Sequence, residues 1–253
     1  MREVVSSVEV YSESDYLYIK LLYKEHGALF IAQSPSRTYD LDALQGKRVP
    51  VESQHVSLPA DLDSPTAAPF PLPADSYVKG VDFIRYDHDK PNTEPLGQAL
   101  IDETRVYEDL RHHPHPNICQ YRGYIADETD RVTGLCLQKY QYMLAIAVWK
   151  KVDIDWDVVM KDYKSAIDHL HSLGWIHNDI SSGNLMIDYN LRGGIIDFGG
   201  STREGASIDI ETPFWTRGSR VAEKENDYYG LRRAELFIHD GGGGPNWSGF
   251  TKS

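Results

Sequence analysis

A short part of the chain combines the side chains that metal-assisted phosphoryl transfer needs. Residues 177–179 are His-Asn-Asp, Asn184 follows, and an Asp-Phe-Gly motif occupies residues 197–199. A carboxylate such as Asp179 can orient a hydroxyl group and accept its proton. The oxygens of Asn184 and Asp197 are hard ligands of the kind that Mg²⁺ prefers. The pattern therefore predicts a site at which Asp179 faces an acceptor hydroxyl while Asn184 and Asp197 hold Mg²⁺.

The neighbouring segments must hold these motifs in place. Residues 158–174 carry apolar side chains at three- and four-residue spacing and end with glycine, which predicts an amphipathic helix that stops before the loop. Residues 185–188 and 193–198 predict two short strands. A purely structural interpretation of the loop stays open, because Asp179 and Asn184 could also cap a turn between the helix and the first strand.

The order and spacing of these motifs resemble the eukaryotic protein kinase superfamily. The runs RHHPHPNICQYRGY, GLCLQKY and HNDISSGN resemble its divergent, short members that are frequent in filamentous fungi. The resemblance covers the chain from about residue 77 to residue 237. It implies an α+β, two-lobed protein-kinase-like fold with a reduced N-terminal lobe and a truncated, mostly helical C-terminal lobe. It also implies ATP and Mg²⁺ as cofactors.

The resemblance implies roles for residues outside the two motifs. Glu103 would lie on the regulatory helix of the small lobe and pair with a lysine that clamps the α- and β-phosphates; a solvated helix face is the alternative for Glu103. We prefer Lys79 as this lysine because a compact ammonium fits between phosphates, although Arg85 lies nearer to the spacing of the family. The hinge that binds adenine through its main chain would consist of Gln138, Lys139 and Tyr140, with Leu137 as the gatekeeper.

Two further residues would have structural roles if the resemblance holds. His177 would pack beneath the loop and form hydrogen bonds with the backbone, so we do not assign it as a catalytic base. Asp227 would lie on the central helix of the large lobe and brace the backbone of the loop. Neither side chain would touch the substrate.

Turn residues and composition divide the chain into five regions. A polar turn between two β-rich runs predicts a hairpin near the N-terminus, and a concentration of prolines predicts an extended linker after it. The predicted regions are an N-terminal β-hairpin region (1–33), a Pro-rich linker (34–76), a kinase-like small lobe (77–140), a kinase-like large lobe (141–237) and a flexible Gly-rich tail (238–253).

The chain departs from the kinase pattern in three places. No glycine-rich GxGxxG turn precedes Lys79, the loop contains Asn178 where the family has an arginine that meets an activation-loop phosphate, and few residues follow Gly199. Three functions therefore stay open: an ATP- and Mg²⁺-dependent phosphotransferase, a pseudokinase or scaffold that binds a partner protein, and a kinase fold redirected to another small-molecule reaction. The acceptor could be a protein hydroxyl or a small molecule.

Composition narrows the classes of partner. The 253 residues carry a formal net charge of -12, which disfavours binding to a nucleic-acid backbone. The two cysteines have no neighbouring metal-ligand spacing and suggest a reducing compartment. No run is long and apolar enough for a membrane span or a signal peptide. We expect no nucleic-acid or membrane partner and a cytoplasmic or nuclear location.

Overall fold

The computed structural model describes residues 1–12, 15–50, 58, 62, 64–89, 97–208, 215 and 217–242. Helices and strands are mixed along this part of the chain, as expected for the α+β class. The chain forms two compact units. The first contains Met1–Leu62, Gly80–Ile101 and Ile125–Gly134, and the second contains Asp63–Lys79, Asp102–Tyr124 and Leu135–Ser253.

The first unit is built on a four-stranded sheet. Its strands, in spatial order, are β1 (Glu3–Ser12), β2 (Asp15–Glu25), β3 (Ala28–Ser34) and β4 (Lys47–Arg48), and each neighbouring pair is antiparallel. The chain reverses between β2 and β3 at His26 and Gly27, which both have positive φ angles. The hairpin indicated by the sequence is therefore present, and it has an additional strand on each side.

A small apolar cluster holds this sheet together. It consists of Leu22, Ile31, Val49 and Tyr86, all buried. Leu22 and Ile31 are opposite each other in the β2–β3 register, so their side chains lie on one face of the sheet. Tyr86 directly follows a 3-10 turn at Phe83–Arg85.

The second unit contains most of a three-stranded sheet and a long helix. The sheet has the order β5 (Ser76–Gly80), β7 (Val132–Gln138) and β6 (Tyr121–Ala126), so β5 is an edge strand. Helix α1 runs from Gln98 to Arg111. β5 carries Lys79 and α1 carries Glu103, which are two of the predicted site residues.

The remaining elements surround the predicted loop and the Asp-Phe-Gly motif. They are β8 (Tyr142–Met143), α2 (Leu144–Trp149), α3 (Trp156–Ser172), β9 (Trp175–Ile176), β10 (Leu185–Ile187), β11 (Gly193–Ile195), β12 (Thr202–Arg203) and α4 (Lys224–His239). β11, β10 and β8 form one small sheet, and β12 pairs with β9 in another. The loop 177–184 follows β9, and the Asp-Phe-Gly motif lies between β11 and β12.

Helix α3 has the amphipathic pattern that the sequence predicts. The Asp155 side chain caps its first turn by accepting a hydrogen bond from the Val158 N–H at 3.2 Å. Its completely buried face consists of Val159, Tyr163, Ala166, Ile167 and Leu170. A Cβ at Gly193 on β11 would approach the Tyr163 ring to 2.8 Å. Glycine therefore allows α3 to lie close to the strand that leads to the Asp-Phe-Gly motif.

The compact units do not follow the predicted region boundaries, and those boundaries stay predictions. The predicted linker, residues 34–76, contains β4 and the first residue of β5. Residues 51–57, 59–61 and 63 of that linker lie outside the described residues, as do residues 243–253 of the predicted tail. Among the described helices, none has both the length and the apolar character needed to cross a bilayer. Cys119 and Cys136 are buried and not bonded to each other.

Candidate functional site

An ion-pair cluster joins β5, α1 and the Asp-Phe-Gly motif. The Nζ atom of Lys79 lies 2.7 Å from Oε2 of Glu103 and 2.8 Å from Oδ1 of Asp197. The Glu103 side chain is 1% exposed, whereas those of Lys79 and Asp197 are 27% and 44% exposed. One ammonium is thus shared between a buried carboxylate and a carboxylate that faces solvent.

Burial and charge shift the pKa values of this cluster in different directions. Burial lowers the pKa of Lys79, but the carboxylates of Glu103 and Asp197 outweigh this effect and leave it raised. Burial raises the pKa of Glu103, and Lys79 offsets only part of that rise. Burial also raises the pKa of Asp197, but the Lys79 ammonium more than compensates, so this pKa is lowered. Asp197 is therefore the carboxylate that holds its charge most firmly.

The backbone of the Asp-Phe-Gly motif is fixed in an uncommon conformation. Asp197 has φ 65° and ψ 76°, in the left-handed region that non-glycine residues seldom adopt. The Phe198 N–H donates to Oε1 of Glu103 at 3.2 Å, and the Gly199 N–H donates to Oδ1 of Asp197 at 3.4 Å. Glu103 therefore holds both the lysine and the motif, and these contacts compensate for the strained residue.

The loop 177–184 connects Asp179 to Asn184. The Asn184 Nδ2 group donates to the backbone oxygen and to Oδ2 of Asp179, both at 2.9 Å. The Ile196 N–H donates to the backbone oxygen of Asn184 at 3.0 Å, directly before the Asp-Phe-Gly motif. These bonds explain the five-residue spacing, because the amide of Asn184 must reach back to fix the Asp179 carboxylate.

His177 lies beneath the loop, as the resemblance implies, and this prediction is confirmed. Its side chain is completely buried. Nε2 lies 3.0 Å from the Ile196 backbone oxygen, and Nδ1 lies 3.3 Å from the backbone nitrogen of Asp179. A carbonyl oxygen can only accept and an N–H can only donate, so these partners assign the proton to Nε2. The imidazole thus connects two backbone segments.

The bracing role predicted for Asp227 is also confirmed. Its carboxylate is 0% exposed on α4. Oδ1 accepts from the Asn178 N–H at 2.7 Å, and Oδ2 accepts from the His177 N–H at 2.9 Å and from Nε2 of His171 at 2.8 Å. Three donors thus compensate one buried charge, and they fix the start of the loop to α4.

The oxygens available near the loop fit the chemistry of a magnesium site. Both hydrogen bonds of the Asn184 amide use its nitrogen, and its Oδ1 has no partner within the described residues. Both contacts of the Asp197 carboxylate use Oδ1, which leaves Oδ2 without one in the same part of the chain. No group of three or more His, Cys, Asp or Glu side chains among the described residues could hold a metal ion by itself. The donor set suits Mg²⁺, which takes few protein oxygens and completes its shell with water and phosphate.

The predicted gatekeeper and hinge span the end of β7, whose last two residues are Leu137 and Gln138. Leu137 is buried, and the backbone N–H groups of Gln138 and Lys139 donate to the oxygens of Gln120 and Asp75 at 2.9 and 3.0 Å. The N–H of Tyr140 makes no hydrogen bond with the described residues. The hinge prediction did not distinguish these N–H groups, but the structure shows that two of them are already occupied.

The sequence analysis missed a column of rings that passes through the site. Tyr121 stacks on Tyr107 at 5.3 Å, Tyr107 contacts Phe198 at 5.1 Å, and Phe198 contacts His177 at 5.1 Å, all measured between ring centroids. Tyr107 is four residues after Glu103, on the same face of α1. That spacing was a signal for Tyr107, whereas the position of Tyr121 required the fold.

The structure thus brings the predicted site residues together in three groups. Lys79, Glu103 and Asp197 are in direct contact, Asp179 is bonded to Asn184, and the gatekeeper and hinge residues 137–140 lie consecutively across the end of β7. The second candidate for the lysine, Arg85, ends the 3-10 turn, and its side chain lies outside what the structure describes. The roles of these residues stay predictions, while their contacts are observed.

Comparison with known proteins supports the same assignment. The family model described as "Protein kinase domain" matches residues 77–222. Serine/threonine-protein kinase TAO3 of Xenopus laevis is 26% identical over 135 residues, which are 52% of this chain and 15% of that protein. Probable serine/threonine-protein kinase drkC of Dictyostelium discoideum is 29% identical over 156 residues, 57% and 20% respectively. Serine/threonine-protein kinase TAO2 of Homo sapiens is 30% identical over 135 residues, 52% and 11% respectively.

The aligned residues make up more than half of this chain but only a small fraction of each relative. The chain spans between 11% and 20% of the length of these three proteins. The family match includes Lys79, Glu103, the loop 177–184 and the Asp-Phe-Gly motif. Because it covers more than half of the chain and contains the ion-pair cluster, the chain belongs to the protein kinase family.

Proposed function

We propose that the protein transfers the γ-phosphoryl group of ATP to a hydroxyl acceptor in a Mg²⁺-dependent reaction. The observation that carries the proposal is the contact of Lys79 with both Glu103 and Asp197, beside a loop in which Asn184 fixes Asp179. Transfer of a phosphoryl group requires positioning and charge stabilisation more than covalent chemistry. These side chains provide both.

Lys79 would bind phosphate oxygens through its ammonium. Its pKa is raised, so it is a stable cation, and 27% of its side chain is open to solvent. Glu103 is buried, so its carboxylate has a fixed position and holds the Lys79 ammonium at the end of β5. A lysine suits this role because its three donors can serve a carboxylate and phosphates together.

Asp197 and Asn184 would hold Mg²⁺ through the two oxygens that have no partner among the described residues, Oδ2 and Oδ1. When bound, the metal would neutralise charge on the β- and γ-phosphates. Asp179 would orient the acceptor hydroxyl and accept its proton. The hydrogen bond from Asn184 sets the orientation of that carboxylate. The N–H of Tyr140 would donate to adenine, since those of Gln138 and Lys139 are occupied within the fold.

A pseudokinase or scaffold is the second candidate. One observation favours it: β5 is the edge of its sheet, and Tyr77 and Val78 on this strand are 55% and 47% exposed. Among the described residues no further strand pairs with β5, so the edge next to Lys79 offers less enclosure for phosphates and a place where a partner strand can add. This candidate predicts weak or metal-independent nucleotide binding.

Nucleotide calorimetry distinguishes the two candidates. ATP is titrated into the protein with and without Mg²⁺, and the titration is repeated with Asp197→Asn. The exposed first-turn carboxylate of α3, Asp157, provides the matched control Asp157→Asn. We expect Mg²⁺-dependent affinity that falls roughly tenfold or more in Asp197→Asn and is unchanged in Asp157→Asn. Equal affinity with and without metal would favour the scaffold.

The reaction itself is tested by the mass of the product. We expect Asp179→Asn to lower turnover by about 10²–10⁴-fold with little change in ATP affinity, because Asp179 faces the acceptor and not the nucleotide. A gain of one phosphoryl group on a protein hydroxyl or a small molecule would identify the acceptor class. Any other mass change would indicate a kinase fold redirected to a different reaction.

The narrower expectations from the sequence are retained as proposals. The resemblance to short kinase-like proteins of filamentous fungi, the two-lobed arrangement with reduced lobes and the cytoplasmic or nuclear location belong to this group. The names of the relatives contain "serine/threonine-protein kinase", which supports a protein hydroxyl as the first acceptor to try.

A further inference from the structure

A charged clamp joins α1 to the segment that follows the Asp-Phe-Gly motif. Oδ2 of Asp109 lies 3.0 Å from Nη2 of Arg203 and accepts a hydrogen bond from Nε1 of Trp175 at 2.7 Å. The Arg203 guanidinium carbon lies over the Trp175 ring, 3.8 Å from its centre, and the guanidinium donates to the Leu173 oxygen at 2.7 Å. One carboxylate therefore organises an arginine and a tryptophan that are far apart in the sequence.

The position of the clamp connects it with the ion-pair cluster. Arg203 ends β12, which pairs with Trp175 and Ile176 of β9. β12 begins directly after the turn that contains the Asp-Phe-Gly motif. Asp109 lies on α1, the helix that also carries Glu103. The same two elements are thus joined at two points, once by Lys79 and once by Asp109.

The segment after the Asp-Phe-Gly motif is also held by the neutral side chain of Asn178, on the side away from Asp109. The Nδ2 group of Asn178 donates to the backbone oxygens of Ile176 and Gly200 and to Oγ1 of Thr202, at 3.1–3.2 Å. Asn178 is buried and takes the place of the family's phosphate-binding arginine. The partners of its Nδ2 group are carbonyl and hydroxyl oxygens, and its Oδ1 accepts a hydrogen bond from Nδ2 of Asn226 at 3.3 Å, so these contacts involve no anion.

We propose that Asp109 is a positioning residue whose carboxylate fixes the segment after the Asp-Phe-Gly motif against α1 without any phosphate group. Arginines bind carboxylates and phosphates with the same geometry, so a carboxylate within the chain can provide the anchor that a phosphorylated side chain would otherwise supply. The isolated pair is partly exposed, with Arg203 57% and Asp109 36% exposed. The stacked indole and its hydrogen bond to the same carboxylate make the arrangement stronger than an ordinary surface pair.

The consequence for nucleotide binding rests on the proposed function. If the segment after the motif is loosened, Asp197 loses part of the support for its strained backbone, and Mg²⁺·ATP should bind more weakly. The conformation of the segment can be measured without nucleotide. The two effects are therefore read separately.

Amide hydrogen exchange of residues 202–205 tests the clamp directly, in the full chain and without ligand. Asp109→Asn removes the charge at constant shape, and Asp109→Glu retains it. The matched control is Asp102→Asn, which changes a second carboxylate of α1, one that forms an ion pair with Arg105 of the same helix. We expect roughly 5- to 30-fold faster exchange in Asp109→Asn, corresponding to the loss of one or two net interactions. Asp109→Glu and Asp102→Asn should stay near the wild type.

Two further measurements complete the test. Treatment of the wild type with a phosphatase should leave the exchange rates unchanged, and Mg²⁺·ATP should bind Asp109→Asn roughly fivefold more weakly than the wild type. Equal exchange in Asp109→Asn and Asp102→Asn would overturn the clamp, and faster exchange after phosphatase treatment would overturn its independence of phosphate. If the wild type binds no Mg²⁺·ATP, the proposed function fails, while the exchange rates still decide whether Asp109 holds the segment.

Discussion

Replacement of Asp227 by asparagine should loosen the loop 177–184 and destabilise the fold. The carboxylate is completely buried and accepts three hydrogen bonds, from the backbone N–H groups of His177 and Asn178 and from Nε2 of His171. Asparagine has nearly the same shape but only one oxygen. Its NH₂ group must therefore face at least one N–H donor.

The structure gives the magnitude of this effect. In the less costly orientation the NH₂ group faces the Asn178 N–H, so that one charge-assisted bond worth about 1.5–3 kcal/mol is lost. The two remaining bonds become neutral, which costs about 1 kcal/mol each. In the other orientation His171 can move its proton, but the His177 N–H cannot, so a conflict persists. We expect a loss of roughly 3–5 kcal/mol in the free energy of unfolding.

Denaturant unfolding of Asp227→Asn beside Glu225→Gln measures this loss. Glu225 lies on the same helix and forms an exposed ion pair with Arg232, so its replacement should cost about 0–1 kcal/mol. Amide exchange at His177 and Asn178 reports whether the loop itself is released. A difference of less than about 1 kcal/mol between the two variants, with both amides still protected, would show that α4 does not hold the loop through Asp227.

Two other predictions follow from burial at the site. Burial raises the pKa of Glu103, so this carboxylate should take up a proton at a pH above the ordinary glutamate pKa of about 4.3. Protonation should break its ion pair with Lys79 and weaken the binding of Mg²⁺·ATP. Calorimetry from about pH 5 to 8 measures this change in affinity. A group whose pKa is raised in the folded state stabilises the fold when it takes up a proton, so the contribution of Glu103 to stability should rise as the pH falls, while the Mg²⁺·ATP affinity falls. In Glu103→Gln this pH dependence of the affinity should disappear. A Cβ at Gly230 would approach Cβ of Ile180 to 2.7 Å. Gly230→Ala should therefore cost about 1–3 kcal/mol in thermal or denaturant unfolding, whereas Gly80→Ala, with only an ordinary contact in reach, should not show this clash.

The loop residues could be predicted because their geometry is local. Asp179 and Asn184 are five residues apart, and one turn of backbone is enough to bring the amide onto the carboxylate. The same is true of α3, whose apolar spacing determines which face is buried before any partner is known. Sequence reasoning succeeds where a short segment alone fixes the relative positions of its side chains.

The choice of Lys79 rested on the chemistry of its side chain, because its spacing in the sequence did not identify it. Lys79 and Asp197 are 118 residues apart, so no spacing rule joins them. The sequence left Lys79 and Arg85 open and preferred Lys79 for the shape of its ammonium. The structure places Lys79 between two carboxylates, with Glu103 buried behind it.

Other features could not be derived because their residues have ordinary individual properties. Strand β1 has a mixed pattern, and its place becomes clear from its pairing with β2. Asp109, Trp175 and Arg203 resemble unrelated surface residues in the sequence. Their contact distances depend on how α1, β9 and β12 approach one another, and that approach is decided by packing of the whole unit.

Asn178 shows why a departure from a family pattern has to be interpreted with its surroundings. Taken alone, the missing arginine predicts that the segment after the Asp-Phe-Gly motif cannot be ordered by a phosphate. The buried amide of Asn178 instead bonds three oxygens on β9 and on that segment. Arg203 and Asp109 supply a charged contact on the outer side of the same segment. Because both contacts use side chains of the chain itself and need no phosphate group, the proposed pair of anchors would replace a switched contact with a constant one.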